Sequence, residues 1–402
     1  METKTKLGVP YKRGTGYVYY LGIRDDSGRK KTWFSRVFKT YEEALADSTE
    51  RQKYLKQIQA QTSPNEKLKN YLDRWLRGKY YFTVSVSTWR CAESHIRLYI
   101  NPTIGQTKMC MLTDADVEKV MKKCQRSGLS ASSTRFVFST LRSALKQAVK
   151  EKIIKSNPCS LVSPPSVKRV RRQLIPPEKT AEFLELAKKH GIYLEVLFGI
   201  NFGLRRGEVL ELQFRDFDLQ QNLLTPKRQI GYTLKTNQLD KGVPRTDWGV
   251  VDNLKTDESY GRELVISPKI KELILYLKDK YVEEGVCEKK NIEKCFVCCR
   301  ADGTFKSPNV LRKRFMAVRE EAGMPKLRFH DLRHTFASYM IEDGIPVAVV
   351  SAALGHTSIT TTLNSYYDVI NGGKQIADHM SDKLCDTLVP TEADLKASFR
   401  NK

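Results

Sequence analysis

The sequence predicts a multidomain, mainly α protein. A small three-stranded β-sheet plus one helix comes first, then an all-α unit, then a mixed α+β unit that is mostly helical. Three observations carry this. Aromatic and β-branched residues cluster over 17–38, apolar residues recur at helical spacing over 68–152, and strand-like residues return in force only over 229–264. At 402 residues the chain can hold two or three cores.

Residues 1–60 form the β-then-α unit. Residues 17–24 read as a strand, Asp25-Asp26-Ser27-Gly28 turns the chain, 31–35 runs back, and a third short strand is expected at Val37-Phe38. Thr40-Tyr41-Glu42-Glu43 is a capping box opening a helix to about residue 59. Arg24, Arg29, Lys30, Lys31, Arg36 and Lys39 gather on the sheet and its turns, as a solvated face or as a contact for a polyanion.

Residues 64–158 read as helical throughout. Leu68, Tyr71, Leu72, Trp75 and Leu76 make one apolar face; Ala92, Ile96, Tyr99 and Ile100 make another. Thr113-Asp114-Ala115-Asp116 caps a third helix, carrying Val117, Val120 and Met121. A fourth covers about 130–152, with Phe136, Leu141, Leu145 and Ala148 expected inward. Arg90, Arg97, Arg135, Arg142 and Lys146 are candidate phosphate contacts. Residues 159–175, Pro and Ser and then a basic run, read as a linker that would let its flanking domains close around a duplex.

In the third unit, 176–373, residues 193–202 are expected as a buried helix, hairpins within 229–264, and helices near 269–284 and 307–322. Residues 327–368 then concentrate His330, Arg333, His334, His356, Tyr366 and Tyr367. Leu332, Phe336, Ala337 and Met340 recur at helical spacing, so a helix starts near His330, and His330 and Arg333 lie one turn apart. Gly344 and Pro346 end it, 347–354 reads as a second helix, and a third carries the tyrosines. There Ile359, Leu363 and Ile370 define the inward stripe, with Tyr366 and Tyr367 on its flanks about 100° apart. Periodicity does not choose between them. In the tail, 374–402, Ile376, Met380, Leu384 and Leu388 repeat at i, i+4, a stripe that packs on its own domain or docks on a neighbouring subunit.

The formal charge of +23 argues for a polyanionic partner, whether nucleic acid or membrane surface. No apolar run is long enough to span a bilayer, and no signal segment opens the chain. Nine scattered cysteines suit reduced thiols in a cytoplasm. Cys295 and Cys298 lack a second pair at finger spacing, and CFVCC reads as a buried strand. Gly372-Gly373-Lys374 is too short for a phosphate loop. His330 and His334 have the spacing of a zinc pair, but Asp331 replaces the needed Glu and Arg333 would push a cation between the ligands.

An imidazole, a guanidinium and a phenol are what metal-free phosphodiester cleavage requires. The phenol attacks phosphorus, the imidazole takes its proton, and guanidiniums neutralise the phosphate oxygens. His330-Asp331-Leu332-Arg333, then Leu354-Gly355-His356, then Tyr366 ten residues on, hold the order and spacing of a known catalytic core. In this the segment resembles the tyrosine recombinases, the integrases of phages and conjugative transposons. Gly203-Leu204-Arg205-Arg206-Gly207-Glu208 is similar to that family's first-arginine box. The resemblance covers nearly the whole chain and is specific in these four boxes.

It implies a site-specific recombinase of a mobile element, cutting and rejoining DNA through a 3′-phosphotyrosyl bond for integration and excision, with no cofactor. The catalytic positions fall on Arg205, Lys255, His330, Arg333, His356 and Tyr366, with Glu208 orienting Arg205. Lys255 stands where the family has its hairpin lysine; Lys235 and Lys241 are rivals, because residues 240–249 are inserted and acids crowd Lys255. The same resemblance makes 1–60 an arm-type DNA-binding domain, 64–158 a core-binding domain and 176–373 the catalytic domain. The implied partners are double-stranded DNA at core-type and arm-type sites, three further copies in a homotetramer, and an excisionase or DNA-bending protein. The setting would be a bacterial cytoplasm with no membrane. The alternatives are a strand-relaxing topoisomerase with the same chemistry and a DNA-binding protein without catalysis.

Overall fold

The computed structural model describes the chain except residues 1–4, 15, 25–29, 36, 61–62, 168–172, 241–242, 252–260, 361 and 364–402. For 5–7, 23–24, 30–31, 33, 53–60, 79, 234–240 and 243–246 it describes the backbone only. Two compact units result, 1–170 with 231–249, and 171–230 with 250–402.

The first unit opens with β1 (Thr5–Leu7), β2 (Tyr11–Arg13), β3 (Gly16–Val18), β4 (Tyr20–Arg24) and β5 (Lys30–Phe34). β1, β4 and β5 form an antiparallel sheet with Leu7 opposite Leu21 and Tyr20 opposite Phe34, and β2 pairs separately with β3. The expected third strand at Val37-Phe38 is therefore replaced by Thr5–Leu7, and Phe38 makes only a single bridge to Tyr17. The cause is a break at Tyr19. Its N–H bonds the Ser35 hydroxyl at 2.9 Å and its carbonyl accepts from the Ser35 N–H at 2.7 Å, so the chain changes partner there. α1 (Tyr41–Ala60) follows. The Thr40 hydroxyl accepts the Glu43 N–H, and Glu43 reaches back to the Lys39 N–H.

The helices are α2 (Leu68–Arg77), α3 (Lys79–Thr83), α4 (Val86–His95) continuing through a π-helical turn at Ile96–Ile100, α5 (Asn101–Ile104), α6 (Asp114–Arg126) and α7 (Ala131–Lys150). One buried cluster joins Tyr19, Leu21, Phe38 and Ala44 to Leu72, Tyr81, Trp89, Leu141 and Leu145, so β-sheet and helices share a core. A polar knot lies within it. Tyr19 donates its hydroxyl to Asp47, as Tyr81 does at 3.4 Å, and Arg51 lies 3.6 Å from Asp47, stacks 3.8 Å over the Tyr81 ring and donates to the Arg77 carbonyl at 3.0 Å. Burial pushes the Tyr19 phenol well above its ordinary range, which keeps it a donor. One inward residue is corrected: Phe136 is 62% exposed, while Val137, Phe138, Leu141, Ala144, Leu145 and Ala148 are buried. At 100° per residue Phe136 falls about 140° around α7 from Leu141, away from the buried stripe.

The second unit contains α8 (Thr180–Lys189), α9 (Tyr193–Phe202) and α10 (Arg206–Glu211), then β6 (Phe217–Asp218), β7 (Leu223–Leu224), and the long hairpin β8 (Gln229–Asp240) and β9 (Val243–Val251), whose outer part groups with the first unit. β10 (Leu264–Val265) joins β7 and β6 in a small sheet. α11 (Pro268–Glu283), α12 (Pro308–Glu321), α13 (Asp331–Glu342) and α14 (Val347–Leu354) complete it. The stretch 295–299 is buried as expected but is no strand. It makes isolated bridges, Gln213 to Phe296 and Cys299 to Phe305, because the chain turns at 297–298 between them. The end of the basic linker is anchored: the Ile175 N–H bonds the Thr335 hydroxyl and its carbonyl accepts from Tyr339.

Candidate active site

The site is assembled from the ends of helices in the second unit. α9 stops at Gly203, whose φ of 60° lies in the left-handed region. A Cβ there would stand 2.7 Å from Leu354 and 2.8 Å from Phe336, so backbone and space both call for glycine. α14 stops the same way at Gly355, φ 63°. The carbonyl of each turn holds an arginine. The Gly203 carbonyl accepts from Arg333 Nη1 at 2.9 Å, and the Gly355 carbonyl accepts from Arg205 Nη2 at 3.3 Å.

Arg205 sits in extended backbone just before α10. Glu208, one turn on, accepts its N–H at 2.9 Å and its Nη1 at 2.8 Å. The same carboxylate takes Nη2 of Arg262 at 2.7 Å, and Arg262 also donates Nε to the Ala353 carbonyl at 3.0 Å. Burial pushes the Glu208 carboxyl up, but Arg262 and then Arg205 outweigh it and hold it below the ordinary carboxylate range. Sequence reasoning had singled out Glu208 but not Arg262. Lodged beside Gly261 in a stretch expected only as hairpin, Arg262 carries no local signal of a partner 54 residues away.

α13 begins where expected. Asp331 is tied by the Arg328 N–H at 2.9 Å and its guanidinium, and His330 stands at the N-terminal boundary, exposed. The His330 ring lies edge-on to His334, centroids 5.1 Å apart, and His334 is buried. Among the described residues, no group of three or more His, Cys, Asp or Glu is placed to hold a metal ion. Arg333 is 1% exposed and donates Nη2 to the Leu354 carbonyl. Two of the five N–H donors of its guanidinium are thereby set on carbonyls.

His356 follows directly on the Gly355 turn. Its Nδ1 lies 2.8 Å from the hydroxyl of Thr362, a fully buried residue that sequence reasoning did not single out. Burial, then the charges of Arg333, Arg205, His330 and Arg262, push the imidazole down to about 4. His356 is thus neutral near pH 7, with three guanidiniums and a second imidazole acting on it. Arg205, His330, Arg333 and His356 are brought together. Lys255, its rival Lys241, and Tyr366 and Tyr367 lie outside the described residues, as does the side chain of Lys235.

Of the candidate phosphate contacts, Arg90, Arg97, Arg135, Arg142 and Lys146 are exposed on the helices of the first unit. Arg97 is paired with Glu93 at 2.8 Å, and Arg90 lies 4.2 Å over the ring of Tyr232, which itself stacks on Trp248. Lys39 is exposed; Arg29 and Arg36 lie outside the described residues, and Arg24, Lys30 and Lys31 are described by backbone alone.

Residues 175–371 match the phage integrase family. A tyrosine recombinase XerC-like protein of Caldanaerobacter subterraneus is 24% identical over 75% of this chain and 79% of its own length. The ICEBs1 integrase of Bacillus subtilis is 25% identical over 72% and 76%. Among solved structures, the Tn1549 transposon integrase in complex with transposon right end DNA superposes with a TM-score of 0.61 at 18% identity, covering 79% of this chain and 99% of that one. A lambda integrase tetramer bound to a Holliday junction superposes with a TM-score of 0.55 at 18% identity, over 88% and 96%.

Proposed function

The chain belongs to the phage integrase family of tyrosine recombinases, and from that premise we propose how its residues divide the work of cutting and rejoining DNA. The protein is a site-specific recombinase of a mobile element, and DNA is its partner. Tyr366 attacks the scissile phosphorus, the bond to the 5′-oxygen breaks, and a 3′-phosphotyrosyl ester remains. The 5′-hydroxyl of a partner strand then reverses the step. Arg205 and Arg333 neutralise the non-bridging oxygens, because a guanidinium fork matches phosphate geometry. His330 accepts the phenol proton and Lys255 protonates the leaving oxygen. With Nδ1 of His356 2.8 Å from the Thr362 hydroxyl, we assign the proton of the neutral imidazole to Nε2, where it can be donated to the phosphate.

One observation supports this reading best: the guanidiniums of Arg205 and Arg333 rest on the carbonyls of two glycine turns, Gly355 and Gly203, the first of them directly before His356. On the same reading, 1–60 grips arm-type sites, 64–158 and 176–373 close on the core site, and the active species is a homotetramer joined through the tail 374–402. An excisionase or DNA-bending protein would set direction. No observation favours a topoisomerase or a non-catalytic binder.

The test is a nicked suicide duplex carrying the element-end sequence that flanks the gene. Tyr366→Phe should bind it and form no covalent adduct, while Tyr367→Phe should form one. The reverse pattern assigns the nucleophile to Tyr367, and an adduct in the double variant removes both of these tyrosines as the nucleophile. A chain ending at Gly373 should bind this DNA without exchanging strands; normal exchange would leave the tail no joining role.

A further inference from the structure

At the end of α14 three consecutive carbonyls each accept from a different arginine. Ala353 accepts from Arg262, Leu354 from Arg333 and Gly355 from Arg205, immediately before His356. Two of these arginines already have a place in the phosphate pocket. The third, Arg262, directs its nitrogens inward, Nε to the Ala353 carbonyl and both Nη atoms to the Glu208 carboxylate. It faces inward on Glu208, which is 1% exposed and also held by Arg205.

We propose that Arg262 is a positioning residue for phosphodiester cleavage, holding Glu208 and the Ala353 carbonyl so that Arg205 keeps a positive charge for the scissile phosphate. The inference rests on the reading of Arg205 as a phosphate ligand. Charge counting gives the reason. Arg205, Arg262 and Glu208 together carry one net positive charge. Without Arg262, Glu208 and Arg205 sum to zero, and a carboxylate 2.8 Å from Nη1 competes with the phosphate for that guanidinium. The second grip works on geometry, because Nε of Arg262 pins the last turn of α14, on which the placing of Gly355 and His356 depends.

Adduct formation on the nicked suicide duplex tests this with two scissile groups, the normal phosphate and a neutral methylphosphonate. Arg262→Gln should slow adduct formation on the phosphate about 100-fold, the scale of losing one preorganised electrostatic contact, while gel-shift affinity changes less than about threefold. On the methylphosphonate there is no negative charge to neutralise, so the same variant should lose far less. Arg262→Lys keeps the charge and should stay closer to wild type on the phosphate than Arg262→Gln does. Equal losses on both substrates, a Lys variant as slow as the Gln variant, or cleavage of the phosphate within threefold of wild type by Arg262→Gln each overturn the proposal. If Arg262→Gln fails to fold by circular dichroism, Arg262→Lys decides alone: cleavage of the phosphate within about tenfold of wild type supports the charge role, and a deeper loss overturns it. Undiminished cleavage by Arg205→Ala would instead sink the reading of the pocket, and Arg262→Gln would not be needed to show it.

Discussion

Replacing Gly203 by alanine tests the joint that links the two arginine boxes. The residue stands at φ 60°, where an L side chain costs about 1–2 kcal/mol. The added methyl would also meet Leu354 at 2.7 Å and Phe336 at 2.8 Å. These are side chains packed around a buried turn, and such overpacking costs about 1–3 kcal/mol. The sum is about 2–5 kcal/mol against the stability of the second unit. Gly323→Ala is the control within the same unit: φ is 67°, and nothing lies within 4 Å of the added carbon. It should cost the strain alone, so the difference between the two variants isolates the clash. Urea unfolding followed by circular dichroism, with paired midpoints, measures it. Activity should fall further than unfolding explains. The Gly203 carbonyl holds Arg333 Nη1, and a displacement of about 1 Å in a positioned group can cost about 100-fold in rate. If Gly203→Ala and Gly323→Ala unfold at the same urea concentration, the packing argument is wrong. If Gly203→Ala cleaves at the wild-type rate, the Gly203 carbonyl does not position Arg333.

The His356 imidazole sits lower in the folded chain, about 4, than its ordinary value of 6.5. Its share of stability is therefore present above pH 6.5 and lost as pH falls toward 4, at most about 3 kcal/mol and less after solvent screening of this half-exposed group. His356→Gln should flatten the urea midpoint across that window, and an unchanged slope would show that another group titrates there. On α7, Leu141→Ala should cost about 2–5 kcal/mol, whereas Phe136→Ala should change stability by less than about 0.5 kcal/mol; thermal melts separate the two, and equal losses would contradict the assigned face. Asp47→Ala leaves Arg51 buried without its carboxylate and should cost about 3–5 kcal/mol by urea unfolding, with a wild-type midpoint showing the knot to be neutral. Binding to the duplex should weaken with salt at a log–log slope of about −0.9 per phosphate neutralised, and a flat dependence would argue against the basic surface.

Local chemistry made much of this protein readable from its residues. α9 and α14 end at glycines, α6 opens at a capping box and α1 at the Thr40 hydroxyl, and the apolar stripes of α2 and α7 have the helix period; each of these depends on neighbours within four residues. The motif boxes were legible for the same reason, since H-x-x-R and L-G-H are short. Misreadings arose where a partner lay far along the chain. Residues 17–24 look like one strand until Ser35 bonds Tyr19 and splits it, and Phe136 passes as core until the phase of α7 is set by its neighbours. Arg262 is an unremarkable basic residue until folding brings Glu208 and the carbonyl of Ala353 to it, 54 and 91 positions away. Sequence alone thus determined the helices, their ends and the chemistry available, because those follow from short-range sterics and hydrogen bonding. Only the tertiary structure decided which arginine rests on which carbonyl, because desolvation and charge pairing depend on groups that chain folding alone brings within a few ångströms.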